Sequence, residues 1–388
     1  MLGWILGEGL RCAGIEALME GFSRQLVAAG VPVARAMISL RVLTATVIAR
    51  SYIWQPVDGL TRATFDWAER DLGLYERSPF KVVHATGEWL ELTLDETPDD
   101  AFGIVPELKA GGITHYVALP LAFTNGTVNV MSLATAREGG FSMEDLALVR
   151  SVLPAFTAAV ELRALDAGIR DVLEIYVGRE PAKRILSGTV HRGEVNRISS
   201  AIMFVDMRDF TRRTQTMHAE ETAELLNRYY DCVVPHVEAN AGSVLKFIGD
   251  GILAIFPDGE AGARGAAASA LAAARGALGA LPTFCADGRT PFEIGIALHH
   301  GSAAFGNVGS GERLDFTVVG RDVNLTDRIG RLNKTLGIPL LMSGDFAGVL
   351  DEPARSLGHH AVKSFDQSIE VFEPARPRPG HPGEGAAT

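Results

Sequence analysis

Two apolar segments that end or turn at an aspartate constrain the fold of this chain more than any other feature. The first is Ala201–Asp206, and the second runs from Leu245 to Phe256 around a central Gly-Asp-Gly. The second segment is typical of a β-hairpin, because turn residues separate two short β-prone runs. If the first strand lies beside this hairpin, Asp206 and Asp250 meet at one end of a sheet. Two converging carboxylates are typical of a Mg²⁺ site, although a single aspartate beside glycine is more typical of a turn.

Length and composition indicate a globular protein of two domains with a connector. The chain has 388 residues, of which 47% are hydrophobic and 21% charged, and this is long for a single hydrophobic core. The formal net charge of −11 argues against a surface that tracks nucleic acid, because such surfaces cluster lysine and arginine. We therefore expect no nucleic-acid partner.

The cysteines and the N-terminal segment favour a protein of the reducing cytoplasm. The three cysteines, Cys12, Cys232 and Cys285, lie far apart, which is the pattern of neither a disulfide framework nor a metal knuckle. Glycine and charged residues interrupt the first eleven positions, well short of the ~20 apolar residues of a membrane span. We predict an amphipathic helix there, packed on its own domain or on a second protomer, and no transmembrane segment.

Residues 1–140 have the pattern of a small α/β module. Asn125-Gly126 suits a tight hairpin, because both residues tolerate a positive φ. With helices before and after the strands, this part of the chain resembles a GAF-type domain. The resemblance implies a sensory role and an unidentified small-molecule or protein regulator. The predicted strands are Ala34–Leu43, Thr46–Trp54, His115–Phe123 and Thr127–Ala134.

Residues 141–197 are predicted to form a helical linker. Their apolar residues recur at alternating steps of three and four, which is typical of a coiled-coil seam with one phase slip. A parallel pair of helices is one interpretation, and a helix packed on its own sensory domain is the alternative. Pro154 is expected to kink the first part. The two apolar series are Val149, Leu153, Phe156 and Val160, then Leu162, Leu165, Ile169, Val172 and Tyr176.

Residues 198–374 carry an ordered series of motifs around the two aspartates. These are Phe204–Thr211, Lys246–Gly251, Ile294–Gly301, Gly306–Gly309 and Phe316–Arg328. The series resembles, in the same order, the signatures of class III nucleotide cyclases. The Pro-, Gly- and Ala-rich residues 375–388 are predicted to be a disordered tail.

The cyclase resemblance implies an α+β fold with a ferredoxin-like, palm-type catalytic domain. Its antiparallel sheet is expected in βαββαβ order with helices on one face, near Ala219–Glu238 and Ala261–Leu281. By the same resemblance, Asp206, Asp250 and the backbone carbonyl of Met207 would bind two Mg²⁺ ions, with Mn²⁺ as an alternative metal. The implied reaction converts ATP to cyclic AMP and pyrophosphate by two-metal phosphoryl transfer.

Asn324 and Arg328 are the candidate catalytic residues. They lie four positions apart on a helix predicted to begin near Asp322, so they share a face. The resemblance makes Asn324 the residue that orients the ribose and Arg328 the one that stabilises charge on the α-phosphate. Arginine suits that role, because its fork matches phosphate. The alternative for Arg328 is a surface salt bridge with Asp327 or Glu312.

Lys246 and Thr317 match the family's base-selecting positions. Lysine donates to a ring nitrogen that is an acceptor in adenine, and a hydroxyl accepts from the 6-amino group, so ATP is favoured over GTP. The same pair resembles a subclass in which bicarbonate sensitivity recurs. Equal initial rates with and without bicarbonate at fixed pH would remove that hypothesis. Lys363 is a candidate triphosphate ligand, with a solvated surface lysine as the alternative.

The family's active sites are shared between two protomers. The aspartate pair comes from one chain, and the base-selecting and catalytic residues come from the other. Because this chain carries both sets, we expect a homodimer with two equivalent sites, regulated by the N-terminal domain.

Some residues depart from the family pattern, and other functions stay open. Asp209 stands where glycine is usual, and Arg321-Asp322 stands where smaller residues are common. His299-His300 lacks a third ligand at zinc-like spacing, which favours a structural role. The alternatives are a catalytically silent cyclase fold, a guanylate cyclase, which Lys246 disfavours, and a diguanylate cyclase, whose Gly-Gly-Asp/Glu-Glu-Phe turn is missing.

Overall fold

The computed structural model describes residues 1–44, 46–66, 73–189, 191–286, 290–311, 313–363, 365 and 367–375. They divide into two compact units, Met1–Ile175 and Tyr176–Thr388. This division falls inside the predicted linker. All but one residue of the predicted tail, 375–388, lies outside the described residues.

The first unit is a six-stranded antiparallel sheet with helices on both faces. Its strand order is β3-β2-β1-β6-β5-β4. The elements are α1 (Leu2–Leu6), α2 (Ile15–Ala28), β1 (Arg35–Arg41), β2 (Val47–Gln55), β3 (Gly59–Asp66), α3 (Pro79–Thr86), β4 (Leu90–Thr93), α4 (Val105–Ala110), β5 (His115–Ala122), β6 (Val128–Thr135) and α5 (Met143–Val177).

Alternation along the strands divides the first unit into two apolar clusters. One face, which includes Ile38 and Leu119, packs with α2 and α5. The other face, which includes Ala118 and Val130, packs with α3 and α4. Ile5 of α1 is fully buried in the first cluster, so the N-terminal segment packs on its own unit. No helix among the described residues is long and apolar enough to cross a membrane.

The two apolar series of helix α5 differ in burial. Val149 and Phe156 are fully buried in the core of the first unit, as the alternative interpretation of the linker had it. Leu165 and Ile169 are 60% and 47% exposed. The helix is continuous through Pro154. Pairing with a second chain therefore stays a prediction for the later series alone.

The second unit is built on an eight-stranded sheet. The order is β13-β14-β12-β10-β7-β9-β8, and β11 pairs with the long β10. The elements are α6 (Arg179–Leu186), β7 (Val195–Met207), α7 (Phe210–Thr214), α8 (Ala219–Ala239), β8 (Ser243–Ile248), β9 (Gly251–Pro257), α9 (Gly262–Cys285), β10 (Ile294–Gly309), β11 (Leu314–Val319), α10 (Arg321–Leu336), β12 (Leu340–Ser343), α11 (Gly344–Val349), β13 (Ala354–His360) and β14 (Ile369–Pro374).

The second unit departs from the expected antiparallel sheet at one pairing. Strands β10 and β12 are parallel, so the sheet is mixed. The two helices expected on one face, α8 and α9, pack there together. Helix α10 adds a second layer on the opposite face, where Leu325 and Ile329 pack against Ala297 and Leu341. The physical reason is that the central strands are buried on both faces and need a second covering layer.

Candidate active site

Asp206 and Asp250 come together at one end of the second sheet. Val205 of β7 pairs with Ile252 of β9, so the next residue along β7 lies beside the turn that carries Asp250. The two carboxyl groups are close enough for a hydrogen bond between them. The strand pairing inferred from the hairpin pattern therefore produces the expected juxtaposition.

The pKa of Asp206 is strongly raised. Burial of the carboxyl group, followed by the hydrogen bond to and repulsion from Asp250, raises the pKa of Asp206 to about 7. Asp327 raises it further, and donation from the Met207 backbone lowers it. Asp206 as a residue is exposed, so the neighbouring Asp250 carboxylate is an important cause of the shift beside burial. Two like charges at this separation do not both ionise readily.

The turn before Asp250 is fixed by α8. The Tyr230 hydroxyl donates to the Gly249 carbonyl over 2.6 Å, and Gly249 has a φ of 62°, which glycine adopts without strain. The neighbouring Tyr229 is fully buried, and its hydroxyl has no hydrogen-bond partner within the ranges that the structure describes. Burial, then the charges of Asp206 and Asp250, raises the pKa of Tyr229. Sequence reasoning missed both tyrosines, because nothing in the local pattern marks what α8 contacts.

The donor set at this end of the sheet fits a hard divalent cation. Within the described ranges, no group of three or more His, Cys, Asp and Glu residues is arranged to hold a metal. Two carboxylates are nevertheless enough for Mg²⁺, which takes its remaining ligands from substrate phosphates and water.

Lys246 contacts the strand that carries Thr317. The Lys246 ammonium is ion-paired with Asp315, two residues before Thr317 on the same strand, β11. Residues two apart on a strand face the same side. Strand β11 packs near β8, since Phe316 of β11 and Leu245 of β8 belong to the same apolar cluster. Sequence reasoning missed Asp315, which lies 69 positions from Lys246.

Asn324 and Arg328 line an open cavity of about 1100 Å³. Of the predicted site residues, these are the two that line it. The Arg328 Nη1 atom lies 3.2 Å from Asp327 Oδ2, so the salt bridge left open by the sequence forms in the single chain, while Glu312 falls outside the described residues. The other lining residues are Arg321, Leu325, Ser343, Gly344, Asp345, Phe365, Gln367, Ser368, Ile369 and Glu370.

The remaining residues singled out from the sequence are Lys363, Asp209, His299 and His300. Lys363 is exposed in the segment between β13 and β14 and does not line the cavity. Asp209 has a φ of 57°, a left-handed conformation in which glycine is unstrained and aspartate is tolerated. His299 is buried with Nδ1 2.8 Å from Ser343 Oγ, and His300 Nε2 lies 2.9 Å from Asp258 Oδ1.

Comparison with known families indicates which kind of domain the second unit contains. Residues 194–352 match the family model described as the adenylate and guanylate cyclase catalytic domain. The second unit carries a nucleotide cyclase catalytic domain. The GAF-like interpretation of the first unit and the base-selecting subclass stay predictions.

Curated relatives share this domain at modest identity. An adenylate cyclase of Rhizobium meliloti is 27% identical over 282 residues, 70% of this chain and 42% of the relative. An adenylate cyclase of Anabaena cylindrica is 31% identical over 185 residues, 44% of this chain and 36% of the relative. An uncharacterised protein of Mycobacterium tuberculosis is 33% identical over 216 residues, 55% of this chain and 38% of the relative. The chain thus spans less than half of each of these relatives.

Solved cyclase structures resemble part of the chain. The adenylyl cyclase CyaB from P. aeruginosa is 26% identical, with a TM-score of 0.43, over 48% of this chain and 98% of that structure. The guanylyl cyclase Cya2 is 24% identical, with a TM-score of 0.41, over 48% of this chain and 97% of that structure.

Proposed function

We propose that this protein is an adenylate cyclase that converts ATP to 3′,5′-cyclic AMP and pyrophosphate. The observation that carries the proposal is the Asp206–Asp250 pair, which stands at the end of two neighbouring strands inside a cyclase catalytic domain. Adenylate cyclases among the relatives support the assignment.

The acid pair is proposed to hold two Mg²⁺ ions, with the Met207 carbonyl as a further ligand. When bound, the metal ions would lower the pKa of the ribose 3′-hydroxyl and orient the triphosphate. The chain's own contribution is to present one carboxylate near the end of β7 and one at a fixed turn, and to release the Asp206 proton as the cation arrives.

Asn324 and Arg328 are proposed to act on a nucleotide whose triphosphate is held by the partner chain. In the single chain they open onto a cavity that the acid pair does not line, which favours a site completed by a second copy. Asn324 would orient the ribose. Arg328 would exchange its contact with Asp327 for the α-phosphate, where a guanidinium stabilises developing charge.

Lys246 and Thr317 are proposed to select adenine. The lysine donates to the ring nitrogen, and the threonine hydroxyl accepts from the 6-amino group. Guanine offers the opposite pattern of donor and acceptor at these two atoms, so GTP would leave both groups unpaired. Unpaired buried polar groups are costly, and this is the basis of the expected preference.

The proposal is tested with the purified full chain, ATP or GTP, and Mg²⁺ or Mn²⁺. We expect cyclic AMP to be the main product. Asp250→Ala and Arg328→Ala should each be inactive alone, and an equal mixture should regain about a quarter of the wild-type activity, because half of the dimers then hold one intact site. Predominant cyclic GMP would favour a guanylate cyclase, and no product with either nucleotide would favour a silent fold.

A further inference from the structure

Two buried polar groups without partners lie on one face of the sheet in the first unit. Arg35, the first residue of β1, is 9% exposed, and its buried Nη1 atom has no hydrogen-bond partner among the described residues. Tyr116 of β5 is 1% exposed, and its buried hydroxyl likewise has no hydrogen-bond partner in the described part of the chain. Orphaned buried polar groups are uncommon in folded proteins, so each requires an explanation.

The strand register brings these two groups together. Arg35 of β1 and Tyr116 of β5 both pair with Ala134 of the intervening strand β6. The three residues therefore form one row across three strands, with their side chains on the same face. Because the central residue is an alanine, the two long side chains have room above it. Consistently, burial raises the pKa of Tyr116 to about 12, against the lowering influence of Ser132 and the Arg35 charge.

The surroundings of this row are apolar. Tyr116 and Ala134 belong to a cluster with Val83 of α3 and with Val105 and Leu108 of α4. A third polar group on this face is the buried Ser132, two residues before Ala134 on β6. It lies near the phenol without forming a hydrogen bond of good geometry, so three polar groups converge in a low-dielectric setting.

The positive charge of Arg35 is not neutralised within the described part of the chain. Its recorded hydrogen bond joins Nη2 to the Met37 sulfur over 3.6 Å, and a thioether is a weak acceptor. No Asp or Glu among the described residues forms an ion pair with it. A buried guanidinium without a counter-charge is strongly unfavourable unless an anion compensates it.

We propose that Arg35, Tyr116 and Ser132 bind the oxyanion group of a small molecule, either a carboxylate or a phosphate. The guanidinium supplies the charge and the unpaired Nη1 donor. The phenol and the serine hydroxyl donate to the remaining oxygen lone pairs. This site lies in the first unit and does not depend on the cyclase proposal.

The test measures anion binding by the full chain through tryptophan fluorescence. All four tryptophans, Trp4, Trp54, Trp67 and Trp89, lie in the first unit's sequence, so the signal reports on this unit. Sodium phosphate and sodium acetate are titrated separately, with ionic strength held constant by chloride. We expect saturable binding of at least one of them. Phosphate alone would indicate a phosphate monoester, and acetate alone a carboxylic acid.

Three variants distinguish a site from a general salt effect. Arg35→Met keeps an unbranched side chain and should weaken binding roughly tenfold or more, and Tyr116→Phe should weaken it about threefold to tenfold. Arg24→Met removes the same charge from an exposed ion pair and should leave binding unchanged. In anion-free buffer, Arg35→Met should also raise the unfolding temperature, because it removes an uncompensated buried charge.

Two outcomes would overturn the proposal. One is that neither anion binds saturably to the wild-type chain. The other is that Arg35→Met and Arg24→Met respond identically to both anions while Arg35→Met brings no gain in unfolding temperature. Because the unfolding measurement is independent of ligand binding, a variant that fails to fold is recognised directly.

Discussion

The raised pKa of Asp206 makes the stability of the metal-free protein depend on pH. An unfolded aspartate loses its proton near pH 3.9, whereas the pKa of Asp206 in the folded chain is raised to about 7. The folded state therefore binds more protons between about pH 4 and pH 7, and its stability falls as the pH rises through that window. The repulsion between Asp206 and Asp250 is therefore the energetic cost of holding the two acids together for the proposed cation.

Asp250→Asn should remove that cost. We expect the variant to flatten the decline between about pH 4 and pH 7, and to gain roughly 1 kcal/mol at pH 8 after discounting for the exposure of Asp206. Urea unfolding in the presence of a chelator measures it. Asp351→Asn, an exposed acid of the same unit, serves as the control. An unchanged pH slope in Asp250→Asn would contradict the pairing of the two acids.

Asp315 offers a second test at the residue scale. Its ion pair ties Lys246 to the strand that carries Thr317, so Asp315→Asn should free the lysine side chain and lower the proposed preference for ATP over GTP. Both partners are partly exposed, and such pairs contribute about 1 kcal/mol or less, so the expected loss is up to about fivefold. Ratios of kcat/KM for the two nucleotides measure it, again with Asp351→Asn as control. An unaltered ratio would leave Asp315 without a role in base selection.

At the scale of elements, the turn between β8 and β9 is supported by a contact from helix α8. Tyr230→Phe removes its hydrogen bond to the Gly249 carbonyl and keeps the ring contact with Phe247. We expect Mn²⁺ affinity, measured by calorimetry without nucleotide, to fall about fivefold, in line with the loss of one hydrogen bond. Thr222→Val, which removes a hydroxyl bonded to the helix backbone, is the comparison. Equal Mn²⁺ affinity in both variants would show that the turn needs no support.

The exposed part of α5 is the element that carries the dimer prediction. Leu165→Lys places a charge in the predicted seam and should weaken self-association by at least about tenfold. Asp166→Lys introduces the same side chain at the adjacent exposed position and should matter less. Sedimentation equilibrium of the full chain compares them. If both variants associate as tightly as the wild type, the seam lies elsewhere.

Sequence patterns predict elements where burial is one-sided. Strands β1, β2, β5 and β6 were placed within two residues, because they alternate or are continuously apolar. Strand β3 has no buried residue and β4 has four residues, so neither has a pattern to read. The proximity of Asp206 and Asp250 follows from the hairpin pattern around Gly249-Asp250-Gly251 in the sequence. The contacts of Tyr230 and Asp315 come from distant elements, which local periodicity does not encode.

For the whole molecule, the proposal joins a sensory unit to a catalytic one. A chain that begins near Arg179 lacks the first unit and should differ in activity from the full chain by roughly tenfold, the size of a typical coupling between sites. Rates of the two proteins with ATP and Mg²⁺, measured at concentrations where both are dimeric, provide the comparison. Identical rates and identical responses to effectors would remove the regulatory role of the first unit.

The separation of the acid pair from the Asn324 and Arg328 cavity has a genetic consequence. If each active site is shared between two chains as proposed, a mixed dimer of an intact chain and a chain damaged in one of these regions keeps one working site. Under the same proposal, a chain damaged in both regions disables both sites of any dimer it enters. Single lesions should therefore behave as nearly recessive alleles and double lesions as dominant ones, in the same cell and at the same expression level.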